Sequence, residues 1–447
     1  MSFSTRKRIL SAVLAVLATI WAAGCDSPVG LDSGNGGDSS GDTSSPSEVT
    51  NLTAYPGSGE LLLTWEDPAG SNYDGVQITW EPNGTDVRTV AAGIERYTVQ
   101  NLTVGTDYTF TVRTVDSNRN ASAGQTVTQA TWGPDVFISQ WLTDGSAWAA
   151  TSNASNSVQI KLPLHQSGTY DFTVHWGDGT RDTITAWDQA EVTHTYPRAG
   201  LFEIVIDGTI EGFGFTSDGD SDAGKLLDIM QWGNVELHDE GGQFSRTANL
   251  TRFSAAGSPN LSNITNMSQM FYGAKNFNSD IGAWDVSGVT DMSNMFQQAE
   301  KFNADLSDWD VSAVTDMSGM FRQAHSFSAD LSDWDVSQVT DMNRMFMSSN
   351  GESSFNSPIG SWDVSSVTNM VGMFYGTDAF NADIGGWDVS SVIDMAGMFR
   401  DAGSFNVDIG DWDVSNVVDF DYMFNDAASF NQDLSGWCTE SVSGNTV

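Results

Sequence analysis

The feature that most constrains this chain is a tryptophan that returns at 284, 309, 334, 362, 387, 412 and 437, every 25 residues except for one step of 28. Around it runs one unit, Trp-Asp-Val-Ser-x-Val-Thr-Asp-Met-x-x-Met-Phe-x-x-Ala-x-x-Phe-Asn-x-Asp-Leu-Ser-x. Counting a first copy in which Pro259 stands for the tryptophan, there are seven full units and a stub. A period of roughly 20–50 residues belongs to architectures in which each copy buries its apolar face only against its neighbours. Within one unit Met292, Met295, Phe296 and Ala299 fall at i, i+3, i+4 and i+7, the spacing of one helix face, with Thr290 and Asp291 as N-cap and first-turn acid. Phe302-Asn-Ala304-Asp-Leu306 alternates as a short strand. One strand and one helix per unit predict a parallel α/β solenoid over 259–447.

Strands stacked about 5 Å apart would align Asn303, Asn381, Asn406 and Asn431 in one polar ladder and Asp305, Asp330, Asp383, Asp408 and Asp433 in another. Hydrogen bonding along the stack is the expected role of the asparagines, and burial that of the tryptophans. Three extra residues lie within 347–355. Insertions in such arrays map to one edge and serve partners, which makes Asn350, Glu352 and Ser353 the candidate interaction edge.

Charge excludes one class of partner. With 58 Asp plus Glu against 18 Lys plus Arg the net charge is −40, and dense phosphate is repelled, so nucleic acid is not expected. From 259 to 447 there are 27 acids and 5 bases. Like charges about 5 Å apart repel by roughly 1 kcal/mol per pair in water. Capping of local amides by Asp285, Asp310 and their equivalents offsets part of this, and screening in a salt-rich host is expected to relieve the rest. Two cysteines and 5 histidines exclude a disulfide scaffold and a zinc cluster. Asp218-Gly-Asp220-Ser-Asp222 begins like a calcium loop, but Ala223 and Ile229 stand where glycine and a bidentate glutamate are needed, so a polar surface loop is expected. No catalytic, cofactor-binding or metal residue is assigned. The acids repeat with the unit, whereas a catalytic pair would be a singular departure in an asymmetric pocket.

Upstream, Arg6, Lys7 and Arg8 precede an apolar run from Ile9 to Ala23, short of the roughly 20 residues of a membrane span, and 1–24 reads as a signal peptide. Trp21-Ala22-Ala23-Gly24-Cys25 resembles the lipobox of bacterial lipoproteins, which implies that Cys25 is lipidated and begins the mature chain. Residues 25–45, rich in Gly, Ser, Asp and Thr, form a disordered tether by composition. From 46 to 133, runs such as Leu61-Leu62-Leu63-Thr64-Trp65 and Tyr108-Thr-Phe110-Thr-Val112 predict a β-sandwich. With Pro46, Val49, Trp65 and Leu102–Tyr108 this segment resembles a fibronectin type III domain. A second sandwich over 134–210 resembles the PKD family through Trp176-Gly177-Asp178-Gly179 and His194-Thr-Tyr196, read as a turn and a packed corner rather than a catalytic His–Asp pair. Residues 211–258 are the lead-in or cap of the array.

The 25-residue unit resembles the BspA-like leucine-rich repeat of bacterial surface proteins, also described as a Mycoplasma lipoprotein repeat and a domain of unknown function. The resemblance implies a cell-surface protein that binds other macromolecules, adhesion being the usual role, and transfers no residue-level site. The expected partner is a protein or glycan at the cell surface, with the membrane touched only through the lipid anchor, no cofactor and no enzymatic activity. The expected location is the cell envelope, facing outward. The alternatives are a surface glycan hydrolase and a structural envelope protein without a discrete ligand. Because a solenoid needs a polar cap, the ten residues after Trp437, with an unpaired Cys438, predict a frayed last unit or a longer gene.

Overall fold

The computed structural model describes residues 44–57, 59–70, 73–82, 87–144, 155–216, 222–349 and 351–437. Cys25, Asn350 and Cys438, and with them the signal-peptide and lipidation readings, lie outside the described residues. Two compact units result, one from 44–55, 62–98 and 108–129, the other from 56–61, 99–107 and 130–437.

Alternating sequence builds the first region. Its strands are β1 (Thr50–Pro56), β2 (Leu61–Glu66), β3 (Gly75–Glu81), β4 (Arg88–Ala91), β5 (Arg96–Val99), β6 (Asp107–Val115) and β7 (Gln125–Ala130). They form one sheet in the order β1-β2-β5 and another in the order β4-β3-β6-β7. Leu63 and Trp65 on β2, Ile78 and Trp80 on β3, and Tyr108, Phe110 and Val112 on β6 are buried at every second position, as the inner faces of a sandwich require.

In the second unit, β8 (Phe137–Leu142), β9 (Gln159–Lys161), β10 (Leu164–His175), β11 (Arg181–Ile184), β12 (Thr193–Thr195), β13 (Leu201–Phe213), β14 (Leu226–Gln231) and β15 (Glu236–Leu237) follow. The main sheet runs β11-β10-β13-β8-β14 with β15 beside β13, and β9 pairs with β12. The expected lead-in thus supplies two of its strands. Glu211 on β13 pairs in parallel with Glu236 on β15, and Glu236 bridges in parallel to Asn260. The array starts on that edge, and one apolar core runs from Phe137 to Met423.

The array is not the parallel α/β solenoid of leucine-rich-repeat type that the spacing predicts. Among the described residues there is no α-helix, only 3-10 turns at Ala190–Val192 and Ala223–Lys225, and so none long and apolar enough to cross a membrane. Each rung is a chain of turns, joined to the next by single parallel bridges at Asn266, Asp291, Asp316, Asp341, Asn369, Asp394 and Asp419. Backbone handedness is the reason. Gln269, Asn294, Gly319, Arg344, Gly372, Gly397 and Tyr422 hold φ between +55° and +62°. A right-handed helix cannot run through a left-handed residue. Four residues later a second one follows in six rungs, Gln298 (φ 61°) in the second.

The amides show what replaces the helix. Those of Met292, Asn294, Phe296 and Gln298 donate to Asp316, Ser318, Met320 and Arg322 of the next rung, at 2.7–3.0 Å. The amides between them stay in their own rung: Ser293 on Asp291 Oδ1, Met295 on Met292 O, Gln297 on Asn294 O and Ala299 on Phe296 O. Every N–H from 292 to 299 therefore has a partner, as burial demands. Met292, Met295, Phe296 and Ala299 are fully buried, so the inward face is the expected one, carried by turns.

Aromatic stacks fill the interior. Phe271, Phe296, Phe321, Phe346, Phe374, Phe399 and Phe424 stack with ring centres 5.4–5.8 Å apart. A second column from Phe277 through Phe302 to Phe430 repeats at 5.7–6.1 Å.

The turn chain makes an outcome that a helix would reverse. Glycine costs about 1 kcal/mol inside a helix, but at a left-handed position it relieves the Cβ clash, whereas a β-branched side chain there costs about 1–2 kcal/mol. Gln298→Gly is therefore expected to leave the urea midpoint unchanged or raise it, and Gln298→Val to lower it.

Candidate interaction surface

Stacking turns each position of the unit into a column. The tryptophans from Trp284 to Trp412 are buried as expected and Trp437 is half-buried, and Trp309, Trp334, Trp362, Trp387, Trp412 and Trp437 each donate Nε1–H to a backbone carbonyl one rung back, at 2.9–3.3 Å. Their indoles run nearly parallel, Trp362 and Trp387 within 1° at 6.4 Å. With the rings interior, no aromatic stripe is left from this column for a ligand. The asparagine ladder also forms. Asn278, Asn303, Asn356, Asn381 and Asn406 each accept, through Oδ1, the amide of the equivalent residue in the next rung, at 2.8–3.0 Å. Ser328 interrupts it, having no carbonyl to offer.

The aspartates act within their own rungs. Asp285, Asp310, Asp335, Asp363, Asp388 and Asp413 accept the amide two residues on, at 3.1–3.2 Å. Asp280, Asp305, Asp330, Asp383, Asp408 and Asp433 do the same at 2.9–3.2 Å. The Ser312 hydroxyl and amide hold the Asp310 carboxyl below the ordinary carboxylate range, although neighbouring Asp285 pushes it up. For Asp305 the Ser307 amide leads, and the repulsion from Asp330 is the smaller influence. Local capping thus outweighs the column's self-repulsion.

Two motifs prove structural. His194 Nε2 lies 2.9 Å from Asp178 Oδ2, which makes a pair with catalytic looks. The His194 ring, however, stacks on Trp176 at 4.7 Å, the Tyr196 hydroxyl donates to the Trp176 carbonyl, and Thr180 donates twice to Asp178. Burial alone would raise the Asp178 carboxyl, but the Thr180 and His194 bonds bring it below its ordinary value. All of its neighbours are committed to the corner. Asp218 and Asp220 lie outside the described residues, while buried Asp222 pairs with Lys225 at 3.1 Å and receives the Ser155 hydroxyl. Among the described residues no three His, Cys, Asp or Glu side chains are placed to hold a metal.

What remains is a division of charge. With the tryptophan as position one, 20 of the 27 acids occupy positions 2, 8, 22 and 25 with no base among them, and all 5 bases of the array fall between positions 11 and 18, where Glu300, Asp378, Asp401 and Asp426 also stand. That strip holds Lys275, Lys301, Arg322, Arg344 and Arg400 together with Tyr272, Tyr375 and Tyr422, the last 63% exposed. Lys275 pairs with Glu300 at 2.8 Å, Lys301 is held by Asn276 Oδ1, and Arg400, beside Asp401, lies over the Tyr375 and Tyr422 rings at 5.2 and 5.5 Å. The inserted edge opens onto the same strip. Glu352 Oε2 approaches His325 Nδ1 at 3.6 Å, and Ser353 Oγ accepts the Phe355 amide. Sequence reasoning reached Glu352 and Ser353 but not the arginines of the strip; tabulating Lys and Arg by position in the unit finds them.

Capping also sets a pH dependence. Asp285, Asp305, Asp310, Asp330, Asp363, Asp388, Asp413 and Asp433 are all held below the ordinary value of 3.8. A carboxyl that is more acidic folded than unfolded stabilises above its unfolded value and loses that contribution as pH falls through the folded one. The capped aspartates are expected to contribute a constant amount above about pH 5 and to lose it below about pH 4, seen as a melting temperature that drops there. The half-buried His175 and the buried His238, held below the ordinary histidine value, add a separate decline as pH falls through about 6.5. At pH 7 the melting temperature is expected to ignore millimolar calcium at fixed ionic strength, and Ser312→Ala should return the Asp310 titration, read by NMR, toward its ordinary value.

No curated protein matches the chain. Among solved structures it is similar to a two-domain fibronectin type III segment of chicken tenascin, at 17% identity over 35% of this chain and 82% of that one, TM-score 0.18. It is also similar to a redesigned β-sandwich, at 17% identity over 20% and 97%, TM-score 0.18. A third is chitinase ChiA74 from Bacillus thuringiensis, at 16% identity over 38% and 28%, TM-score 0.19. Residues 44–129 match the fibronectin type III domain family, and residues 242–353 and 347–446 match the repeat family described as Mycoplasma protein of unknown function, DUF285, a pairing consistent with a surface or adhesion-type protein.

Proposed function

We propose that this chain is a lipid-anchored protein of the bacterial cell surface, held through Cys25, whose repeat array binds a macromolecule while the β-modules act as a stalk. The observation that carries the reading is the array's regularity. Seven copies of one unit put the same side-chain types in columns from rung to rung, which gives an extended surface, and extended surfaces are what repeat proteins bind with. The adhesive role implied by the BspA-like resemblance, and the PKD-like reading of 134–210, belong to this proposal. An enzyme is not proposed. The acids are spent on capping amides in register, and the one histidine–carboxylate pair at Asp178 is locked in a packed corner.

Two measurements test this. Cys25→Ala is expected to move the protein from the membrane fraction to the soluble one, and retention in the membrane fraction overturns the anchor. Crosslinking intact cells with a membrane-impermeant reagent should capture a surface partner on the wild-type chain, and a chain that reacts with the reagent yet captures nothing overturns the binding role.

A further inference from the structure

Two arginines in the strip are unlike its other bases. Arg322 at position 14 and Arg344 at position 11 stand on adjacent rungs, and burial first, then the neighbouring Arg344 charge, disfavour the charged Arg322 guanidinium. Neither has a carboxylate partner among the described residues, in a chain with 58 acids. Arg322 Nε and the nearby His325 Nε2 are buried and make no hydrogen bond. The Arg344 stem lies over Gly372, where an added Cβ would meet its Cγ at 3.5 Å, and Arg344 itself is exposed. Two guanidiniums kept together without an anion cost free energy, and each offers the planar fork that meets a carboxylate with two parallel bonds.

The same strip offers amides and hydroxyls but almost no exposed aliphatic surface. Asn294, Gln298 and Gln323 line it, and Tyr422 is its only strongly exposed large apolar residue, since Ile393 and Val418 lie on the threonine column. A folded protein partner wants a desolvated apolar centre, and the strip has none. A dense polyphosphate is turned away by the net charge of −40. An isolated carboxylate is not, because at physiological salt only charges within about 8 Å act strongly on it.

Resting on the surface-binding reading above, we infer that the strip from Tyr272 to Tyr422 binds a linear polysaccharide bearing sparse carboxylates, with Arg322 and Arg344 clamping one acid group and the tyrosines and amides taking the neutral sugar faces and hydroxyls. Glu352, reaching back to His325 from the inserted edge, bounds the clamp on one side.

The test uses the full-length chain and half-methyl-esterified polygalacturonate, with the fully esterified polymer and polyglutamate as controls. Binding to the half-esterified polymer alone is expected, weakening as sodium chloride rises. Arg322→Ala with Arg344→Ala should lower affinity at least about tenfold, the loss of one good charge-assisted pair. Arg344→Glu, at an exposed position, should do the same with the melting temperature unchanged. Equal binding of the fully esterified polymer, preference for polyglutamate, or indifference to Arg344→Glu overturns the inference. Absence of glycan binding alongside a crosslinked surface protein overturns it while leaving the surface-binding reading standing; absence of any partner removes both.

Discussion

Everything in the array depends on one backbone device, the division of amides between two uses. Even-numbered amides from Met292 to Gln298 reach the next rung, and odd-numbered ones close turns within their own. A strand would send its amides to neighbouring strands and a helix would keep them all, so this arrangement is neither. It requires a residue with positive φ where each turn closes, which Asn294 and Gln298 supply in the second rung. Once the pattern is set, a rung can differ in length only outside it. The three extra residues of the fourth unit fall there, after Phe346, and the chain recovers its path at once. Phe346 and Phe355 stack at 3.7 Å, as Phe296 and Phe302 do at 3.9 Å in a rung without the insertion.

Much of this could be read from the residues, and the part that could not has a physical cause. Period, inward face and polar columns follow from which side chains recur, and burial of Trp309 or an amide bond to Asn303 needs nothing more. The spacing predicts a helix where the chain makes turns, because i, i+3, i+4, i+7 burial reports only which side chains point inward. A row of turns closed by i to i+3 bonds gives the same spacing as a helix closed by i to i+4 bonds. The discriminating signal is modest: position 11 holds Gln, Asn, Gly, Arg, Gly, Gly and Tyr, and three glycines in seven is unusual inside a helix. In the lead-in, β14 carries Leu226 and Ile229 into a sheet edge more than 80 residues away in sequence, at β8, and no local pattern announces such a pairing.

The aspartates explain how a chain this acidic can stack at all. A carboxylate that accepts the amide two residues on is held close to its own backbone, and it offsets that amide's unmet demand while it keeps its charge. Aspartate has the reach for this and glutamate, one methylene longer, does not, which accounts for columns made almost wholly of aspartate. Serine at the capped position adds a hydroxyl in many rungs, as Ser287 does for Asp285. Where glycine replaces it, as at Gly282, Gly385 and Gly410, the amide bond remains. The repulsion between rungs is thereby subordinate to a bond made inside each rung.

That arrangement leaves the capped columns poor choices for recognition, because their acceptors are already in use and their side chains are pinned. Positions 11 to 18 differ in kind. Positions 12, 13 and 16 there belong to the core, but at 11, 14, 15, 17 and 18 the backbone is satisfied by rung-to-rung and turn amides and the side chain is left to vary from rung to rung: Gln297, Arg322, Met347, Tyr375 and Arg400 all stand at position 14. Position 5 varies as well, from Gly288 and Ala313 to Gln338 and Asn416, but only this strip brings several variable positions together. The insertion enters beside that strip, and Glu352 meets His325 there. Regularity therefore does two things at once in this protein: it fixes the positions that cannot change, and it lines up most of those that can along one strip, where neighbouring rungs set their side chains next to one another.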